Sequence, residues 1–174
     1  LNLLKAVELT LGDGNELREY TDAVWGKPYK SPAGAPRTGE PETFADFEAF
    51  YAAFLAQTRF IIKQIADLYD VSSALRARFS PTPYLSCLVR GCAEKGLDVT
   101  QGGAQLNFVT VEGVTFATTV DSLLAIKYLI YDKKLCDFTT LIAALKANWK
   151  GYEVLQATAK NKAPKYGRDD DEAD

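Results

Sequence analysis

Histidine and methionine are both absent from the 174 residues, and only three cysteines are present. Without histidine the chain offers no histidine-containing triad, no imidazole proton shuttle and no histidine metal ligand. Cys87, Cys92 and Cys136 form no CxxC pair, which disfavours a disulfide framework, a metal site and an iron–sulfur site and favours a reducing cytoplasm. No apolar run reaches 18 residues, so we expect no membrane-spanning helix and no membrane partner.

The rest of the composition is typical of a folded domain. Hydrophobic residues make up 47% of the chain and charged residues 25%, which excludes global disorder. The net charge of −3 provides no basic field, so no nucleic-acid partner is expected. A chain of 174 residues is long enough to bury the core of one domain.

Hydrophobic periodicity predicts a largely helical chain. After a short opening helix that Gly12 stops, a proline-rich loop is expected over residues 13–42. A long helix should begin at Thr43, its cap, and run to about Asp70. Its aromatic and aliphatic stripe is better explained by a core-facing surface than by an aromatic cofactor site. Two further helices are expected near the carboxyl end, over about 138–148 and 152–160.

The middle of the chain combines helices with one strand. A helix should open at Thr82-Pro83 and continue without a break to Gly96. Gly102-Gly103 then turns the chain into a strand over residues 105–111. The next helix, capped by Thr118 and ending at about Asp132, has almost no polar face, so it should be buried on nearly all sides.

Three motifs have a structural interpretation that outweighs the functional one. Cys92 and Glu94 resemble a reactive Gly-Cys-x-Glu loop, but inside one continuous helix two side chains two positions apart do not face each other, so Cys92 is expected to be a buried apolar residue. Gly102-Gly103 is a tight turn rather than a ligand cradle. The five acidic residues within 169–174 are a solvated tail rather than a metal site.

Glu112 is the one residue for which a functional and a structural interpretation weigh equally. It is the only charged residue between Asp98 and Asp121, and it would share a strand face with Phe108 and Thr110. It stands at the carboxyl end of the predicted strand, where α/β folds place ligands. Glu112 and Phe108 are therefore candidate substrate-binding residues, and a surface turn is the alternative for Glu112.

Several runs together resemble the glycyl radical enzymes, the pyruvate formate-lyase-like family. The resemblance covers nearly the whole chain and is carried by Thr38-Gly39-Glu40-Pro41, Pro83-Tyr84-Leu85-Ser86, residues 96–104, Asn107-Phe108, Asp121-Ser122-Leu123, Ala163-Pro164-Lys165-Tyr166-Gly167 and Asp170-Asp171-Glu172-Ala173-Asp174. Within the family, residues 112–121 and 161–170 look most like the arylacetate decarboxylases.

The resemblance implies an α/β fold. The chain would be a mostly helical segment, with a short strand, of a ten-stranded barrel that has its helices outside. Residues 1–174 would form part of a single domain, between the loop that carries the radical-relay cysteine and the loop that carries the radical glycine. The segment would then hold no catalytic residue of its own. It would be an internal piece of a longer enzyme or one polypeptide of a split enzyme.

The resemblance also implies the chemistry. The complete protein would be a glycyl radical carboxy-lyase that converts 4-hydroxyphenylacetate, phenylacetate or indoleacetate to a methylarene and carbon dioxide, with Glu112 in its substrate pocket. It would bind no cofactor or metal directly, because a radical S-adenosylmethionine activating enzyme would install the glycyl radical. A homodimer, with or without a small subunit, is expected. Alternatives are arene addition to fumarate, diol dehydration, or a non-catalytic helical interaction subunit.

Overall fold

The computed structural model describes residues 1–17, 20–21, 28–29 and 34–173. Part of the predicted proline-rich loop, including Pro32, lies outside the described residues, as does Asp174 at the end of the acidic tail. Within that loop the backbone forms a short antiparallel pair, β1 (Tyr20–Thr21) and β2 (Pro28–Tyr29), with Tyr20 opposite Tyr29. The loop prediction is therefore wrong for these two segments.

Seven α-helices occur in the described part of the chain. They are α1 (Leu3–Leu11), α2 (Phe47–Phe79), α3 (Pro83–Leu88), α4 (Cys92–Lys95), α5 (Phe116–Ile126), α6 (Phe138–Lys146) and α7 (Glu153–Asn161). Single 3₁₀ turns form at Pro41–Thr43 and Val99–Gln101, and α5 continues into a π-helical segment, Lys127–Asp132. None of the described helices is long and apolar enough to cross a membrane.

The chain divides into two compact units, Leu1–Ile61 with Gly113–Asp174, and Ile62–Glu112. The first unit is built around Phe50, which is fully buried and stacks on Phe138 with ring centroids 5.5 Å apart. Phe44 meets the Phe50 ring edge-on at 5.8 Å. The buried residues of this core are Ala6, Val7, Leu11, Phe50, Phe54, Leu123, Ile126, Phe138 and Leu141.

A buried polar group ties the chain before α2 to this core. Gln57 is fully buried, and its Nε2 donates to the Pro36 carbonyl at 2.7 Å. Asp13, also buried, accepts from the Gly39 amide at 2.8 Å and pairs with Arg37 at 2.6 Å. The contacts of Gln57 Nε2 and the Asp13 carboxylate fix the path of residues 36–39, whereas Gln57 Oε1 is buried without a hydrogen-bond partner among the described residues.

Helix α2 begins later and ends later than predicted. It starts at Phe47 because Pro41–Thr43 forms a 3₁₀ turn, and Asp46 rather than Thr43 caps it, its Oδ1 accepting from the Ala49 amide at 2.8 Å. Phe50 and Phe54 face the core as predicted. The core-facing prediction is wrong for Tyr51, Ile62 and Leu68, which are all exposed. Periodicity predicts which side chains share a face, but burial also requires an opposing element.

The helix that follows the predicted strand is buried as expected. It begins at Phe116, not at Thr118, and Thr115 precedes it in the left-handed region at φ +66°. No residue from 119 to 131 is exposed, and Leu124 and Leu129 are buried. The two helices predicted at the carboxyl end are also confirmed, as α6 and α7.

Leu124→Asp is expected to prevent folding or to lower the melting temperature sharply. Leu124 is 7% exposed, so the substitution moves a carboxylate to a site that water does not reach, at a cost of several kcal/mol. Leu124→Met, which conserves volume, should cost less than about 1.5 kcal/mol and serves as the control. Thermal unfolding of the complete protein carrying each variant makes the comparison. A normal melting temperature for Leu124→Asp would show that α5 is exposed.

Candidate functional site

The candidate site is the stretch from Asp98 to Thr115, and the Asp98 carboxylate fixes its start. Oδ1 accepts from the Thr100 amide at 2.9 Å and the Thr100 hydroxyl at 2.6 Å. Oδ2 accepts from the Thr82 amide at 3.0 Å and lies 2.7 Å from Ser86 Oγ. Ser86 Oγ in turn accepts from the Val99 amide at 2.9 Å. The carboxylate thus joins the start of α3 to the 3₁₀ turn at Val99–Gln101.

These hydrogen bonds hold the pKa of Asp98 well below its usual range, with the Thr100 hydroxyl as the largest cause. Sequence reasoning used Asp98 only as a boundary and missed this role. The sequence did contain a signal for this role, because an aspartate can form an Asx-type turn with the residues that follow it and a glutamine three positions later completes a capping box. In the structure Gln101 accepts from the Asp98 amide at 3.3 Å.

The two glycines that follow are required by the geometry of this turn. Gly102 has φ +79°, and a Cβ on Gly103 would lie 2.1 Å from the Leu97 carbonyl oxygen. Glycine is the residue that tolerates both conditions. The turn predicted at Gly102-Gly103 is confirmed, but the strand that it was expected to lead into is not formed.

Cys92 is buried, but not for the reason that the sequence suggested. The predicted continuous helix from Pro83 to Gly96 is wrong: α3 ends at Leu88, and Gly91 at φ +97° separates it from α4, which begins at Cys92. The break needs glycine at this position, because a Cβ on residue 91 would clash with the Gln105 amide nitrogen at 2.7 Å. Glu94 turns back to accept from the Gly91 amide at 2.9 Å, and Cys92 is 3% exposed. The expectation of a buried apolar cysteine is confirmed.

The strand predicted over residues 105–111 is not formed. Residues 107–113 have no regular secondary structure, and Val114 makes an isolated parallel bridge with Asn2. A strand exists only where a neighbouring strand meets its backbone groups, and the described residues place none beside this segment. The segment presents large apolar side chains to solvent: Leu106, Phe108, Val109 and Val111.

Both candidate substrate-binding residues lie on this segment, which has no regular secondary structure. Phe108 is 79% exposed, and Glu112 is exposed as well. The segment ends at Val114, whose amide donates to the Leu1 carbonyl at 2.8 Å. Thr115 follows, with its hydroxyl 3.1 Å from the Leu4 amide that donates to it. The structure thus fixes the carboxyl end of the segment at the amino end of α1.

Two other features were considered as sites. No three side chains of Cys, Asp or Glu cluster as metal ligands within the described part of the acidic tail or of the remaining chain. The first unit contains an apolar groove of about 700 Å³ whose lining includes α1, α5 and α6 and brings in neither Glu112 nor Phe108. The Lys5 ammonium beside this groove is paired with Glu8 and Glu16, at 2.9 and 2.6 Å.

Comparison with known proteins identifies the family. The family model described as pyruvate formate lyase-like matches residues 1–174. The chain belongs to this glycyl radical enzyme family. It is 38% identical over 174 residues to trans-4-hydroxy-L-proline dehydratase of Clostridioides difficile, covering 100% of this chain and 21% of that protein. The structure of that dehydratase with its substrate bound superposes with a TM-score of 0.85, over 99% of this chain and 20% of that one.

Two further structures are similar. Glycerol dehydratase from Clostridium butyricum is 31% identical with a TM-score of 0.83, and a glycyl radical enzyme from Archaeoglobus fulgidus is 31% identical with a TM-score of 0.81. Each match covers 99% of this chain and 20% of the other chain. The chain therefore spans about a fifth of the length of these relatives.

Asp98→Asn is expected to destabilise the second unit near neutral pH. The lowered pKa of Asp98 means that its stabilisation is present above the unfolded-state pKa, about 3.9, and is lost as the pH falls through the folded-state pKa. The stability difference between wild type and Asp98→Asn should therefore shrink towards acid pH. Denaturant unfolding of the complete protein at pH 7 and pH 3 measures it.

Asp67→Asn is the matched control, because Asp67 pairs with exposed Lys63 and surface pairs contribute little. Equal stability of wild type and Asp98→Asn at pH 7 would contradict the role assigned to Asp98.

Proposed function

We propose that the complete protein containing this chain is a glycyl radical lyase that eliminates water from a small hydroxylated substrate. The observation that supports this most strongly is the 38% identity with a hydroxyproline dehydratase across the whole of the chain. The glycerol relative is also named a dehydratase. From the sequence alone dehydration is an alternative to decarboxylation, and these relatives make dehydration the favoured reaction.

Arylacetate decarboxylation remains the second candidate. It is motivated by the resemblance of residues 112–121 and 161–170 to arylacetate decarboxylases. The relatives described above are not named as decarboxylases. They support membership of the family, and the more specific assignment as a carboxy-lyase stays a prediction.

We further propose that the chain is an internal part of one enzyme domain, between the relay-cysteine loop and the radical-glycine loop. Residues 107–113 would be a strand of a ten-stranded barrel, and the adjoining strands would come from the rest of the polypeptide. This would explain why Phe108, Val109 and Val111 expose apolar side chains in a segment without regular secondary structure. The mostly helical remainder would contribute to the outer layer.

In such a strand Phe108 and Glu112 share one face, which we propose lines the substrate pocket. The Glu112 carboxylate would accept a hydrogen bond from a hydroxyl group of the substrate, and Phe108 would pack beside it. In a decarboxylase the same carboxylate would accept from the phenol or indole group of an arylacetate. Either role orients the substrate and leaves the radical chemistry to residues outside this chain.

The supporting machinery is proposed with the function. A radical S-adenosylmethionine activating enzyme would install the glycyl radical, and neither a metal nor a separate cofactor would bind to this chain. The protein would act in the cytoplasm as a homodimer, with or without a small subunit.

The complete protein, incubated anaerobically with the activating enzyme, is expected to show a glycyl radical by electron paramagnetic resonance and to dehydrate trans-4-hydroxy-L-proline or glycerol. The 174-residue chain alone should show neither. Release of carbon dioxide from arylacetates without dehydration would favour the second candidate. Turnover by the isolated chain that Cys92→Ser abolishes would overturn both the proposed position of the chain and the structural role of Cys92.

Glu112→Gln in the complete enzyme is expected to lower kcat/KM by about 10- to 150-fold, because a hydrogen bond to a charged acceptor contributes roughly 1.5–3 kcal/mol. The glycyl radical should still form to the wild-type level. Glu94→Gln is the control, since Glu94 caps α4 and has no proposed contact with substrate. Unchanged kinetics in Glu112→Gln would make Glu112 a surface residue. Loss of the radical itself would make it a structural one.

A further inference from the structure

Residues 163–173 are attached to α5 and to the π-helical segment at two separate points. At the first, the Tyr166 amide donates to Asp121 Oδ1 at 2.9 Å. The Tyr166 ring also meets Phe116 edge-on, with centroids 5.4 Å apart. The attachment therefore combines a charge-assisted hydrogen bond with an aromatic contact, which together fix both the backbone and the side chain of Tyr166.

At the second point, the Lys127 ammonium forms an ion pair with the Glu172 carboxylate. The same ammonium lies 5.9 Å from the centre of the Phe47 ring, within the range of a cation–π contact. Neither partner is fully exposed, with side-chain exposures of 29% for Lys127 and 42% for Glu172. Ala173, the next residue, is buried, so the chain packs against the protein at this point and does not only cross its surface.

The local backbone directs Lys127 to this position. Lys127 is the first residue of the π-helical segment. π-Helical turns are rare in proteins, and those that exist are often found at functional sites. Asp121 lies six positions earlier on α5, about 9 Å along the axis at 1.5 Å per residue. Residues 163–173 thus follow α5 from its middle towards its carboxyl end.

We propose that Asp121 and Lys127 are positioning residues that hold residues 163–173 along α5 and so set the point from which the chain continues towards the radical glycine. This inference rests on the proposed function, in which that glycine follows the present segment. Radical relay moves a hydrogen atom from the cysteine thiol to the glycine Cα: the S–H bond breaks, the C–H bond forms, and the unpaired electron passes to sulfur. The two atoms must be almost in contact, so a small shift of the entering chain slows the transfer.

The test uses the complete enzyme, activated anaerobically, with radical content per protomer measured by electron paramagnetic resonance and kcat expressed per radical. Asp121→Ala removes the acceptor of the Tyr166 amide, and Lys127→Met removes the charge while retaining contact with the Phe47 ring. Each variant should lose roughly tenfold in kcat per radical, with KM little changed, because the misplacement affects relay rather than substrate binding.

Asp121→Asn retains an acceptor oxygen and Lys127→Arg retains the positive charge, so both should recover most of the activity per radical. Lys63→Met, which removes an exposed ion pair with Asp67, should match the wild type. An unchanged kcat per radical in Asp121→Ala and Lys127→Met would overturn the inference, and so would a defect that Lys127→Arg fails to restore. A wild-type enzyme that forms no glycyl radical would instead refute the proposed function.

Discussion

Burial of Phe50 among aromatic rings is the interaction on which the first unit depends. Its ring is fully buried, stacks on Phe138 and meets Phe44 at its edge, so it joins α2 to α6 and to the chain that precedes α2. Full burial of a phenylalanine side chain contributes about 1.5–3 kcal/mol, and favourable ring geometry adds about 0.5–1.5 kcal/mol. Helix α5 completes the same core through Leu123 and Ile126. The attachments to residues 163–173 are therefore presented by a helix that the core holds in place.

Polar contacts hold the chain in place at two positions where helices are joined to loops. In the second unit the Asp98 carboxylate receives hydrogen bonds from residues on both sides of α3 and α4. In the first unit Gln57 and Asp13 hold residues 36–39. These side chains bind backbone amides and carbonyls, which lack partners wherever regular structure stops. The Asp98 contacts lie shortly before the segment that carries Phe108 and Glu112.

The segment over residues 107–113 differs physically from the helices. Each helix satisfies its own backbone hydrogen bonds, so it forms from local sequence and needs only a surface to pack on. A strand satisfies its backbone groups only through neighbours. The exposure of Phe108 and Val111 is what a barrel strand would show when its adjoining strands belong to another part of the polypeptide. The proposed function therefore assigns this segment, and not the helices, to the substrate pocket.

Local sequence determined most of the helices, the Gly102-Gly103 turn, the burial of α5 and the family. These depend on periodicity, on glycine at positive φ and on runs of residues that are read in order. Tertiary structure decided the break at Gly91, the pairing of Lys127 with Glu172 and the absence of a strand over 107–113. Each of these depends on a group distant in the sequence: the Gln105 backbone beside Gly91, a carboxylate 45 residues from Lys127, or a neighbouring strand. Short-range patterns carry no information about such partners, because only the folded chain brings them together.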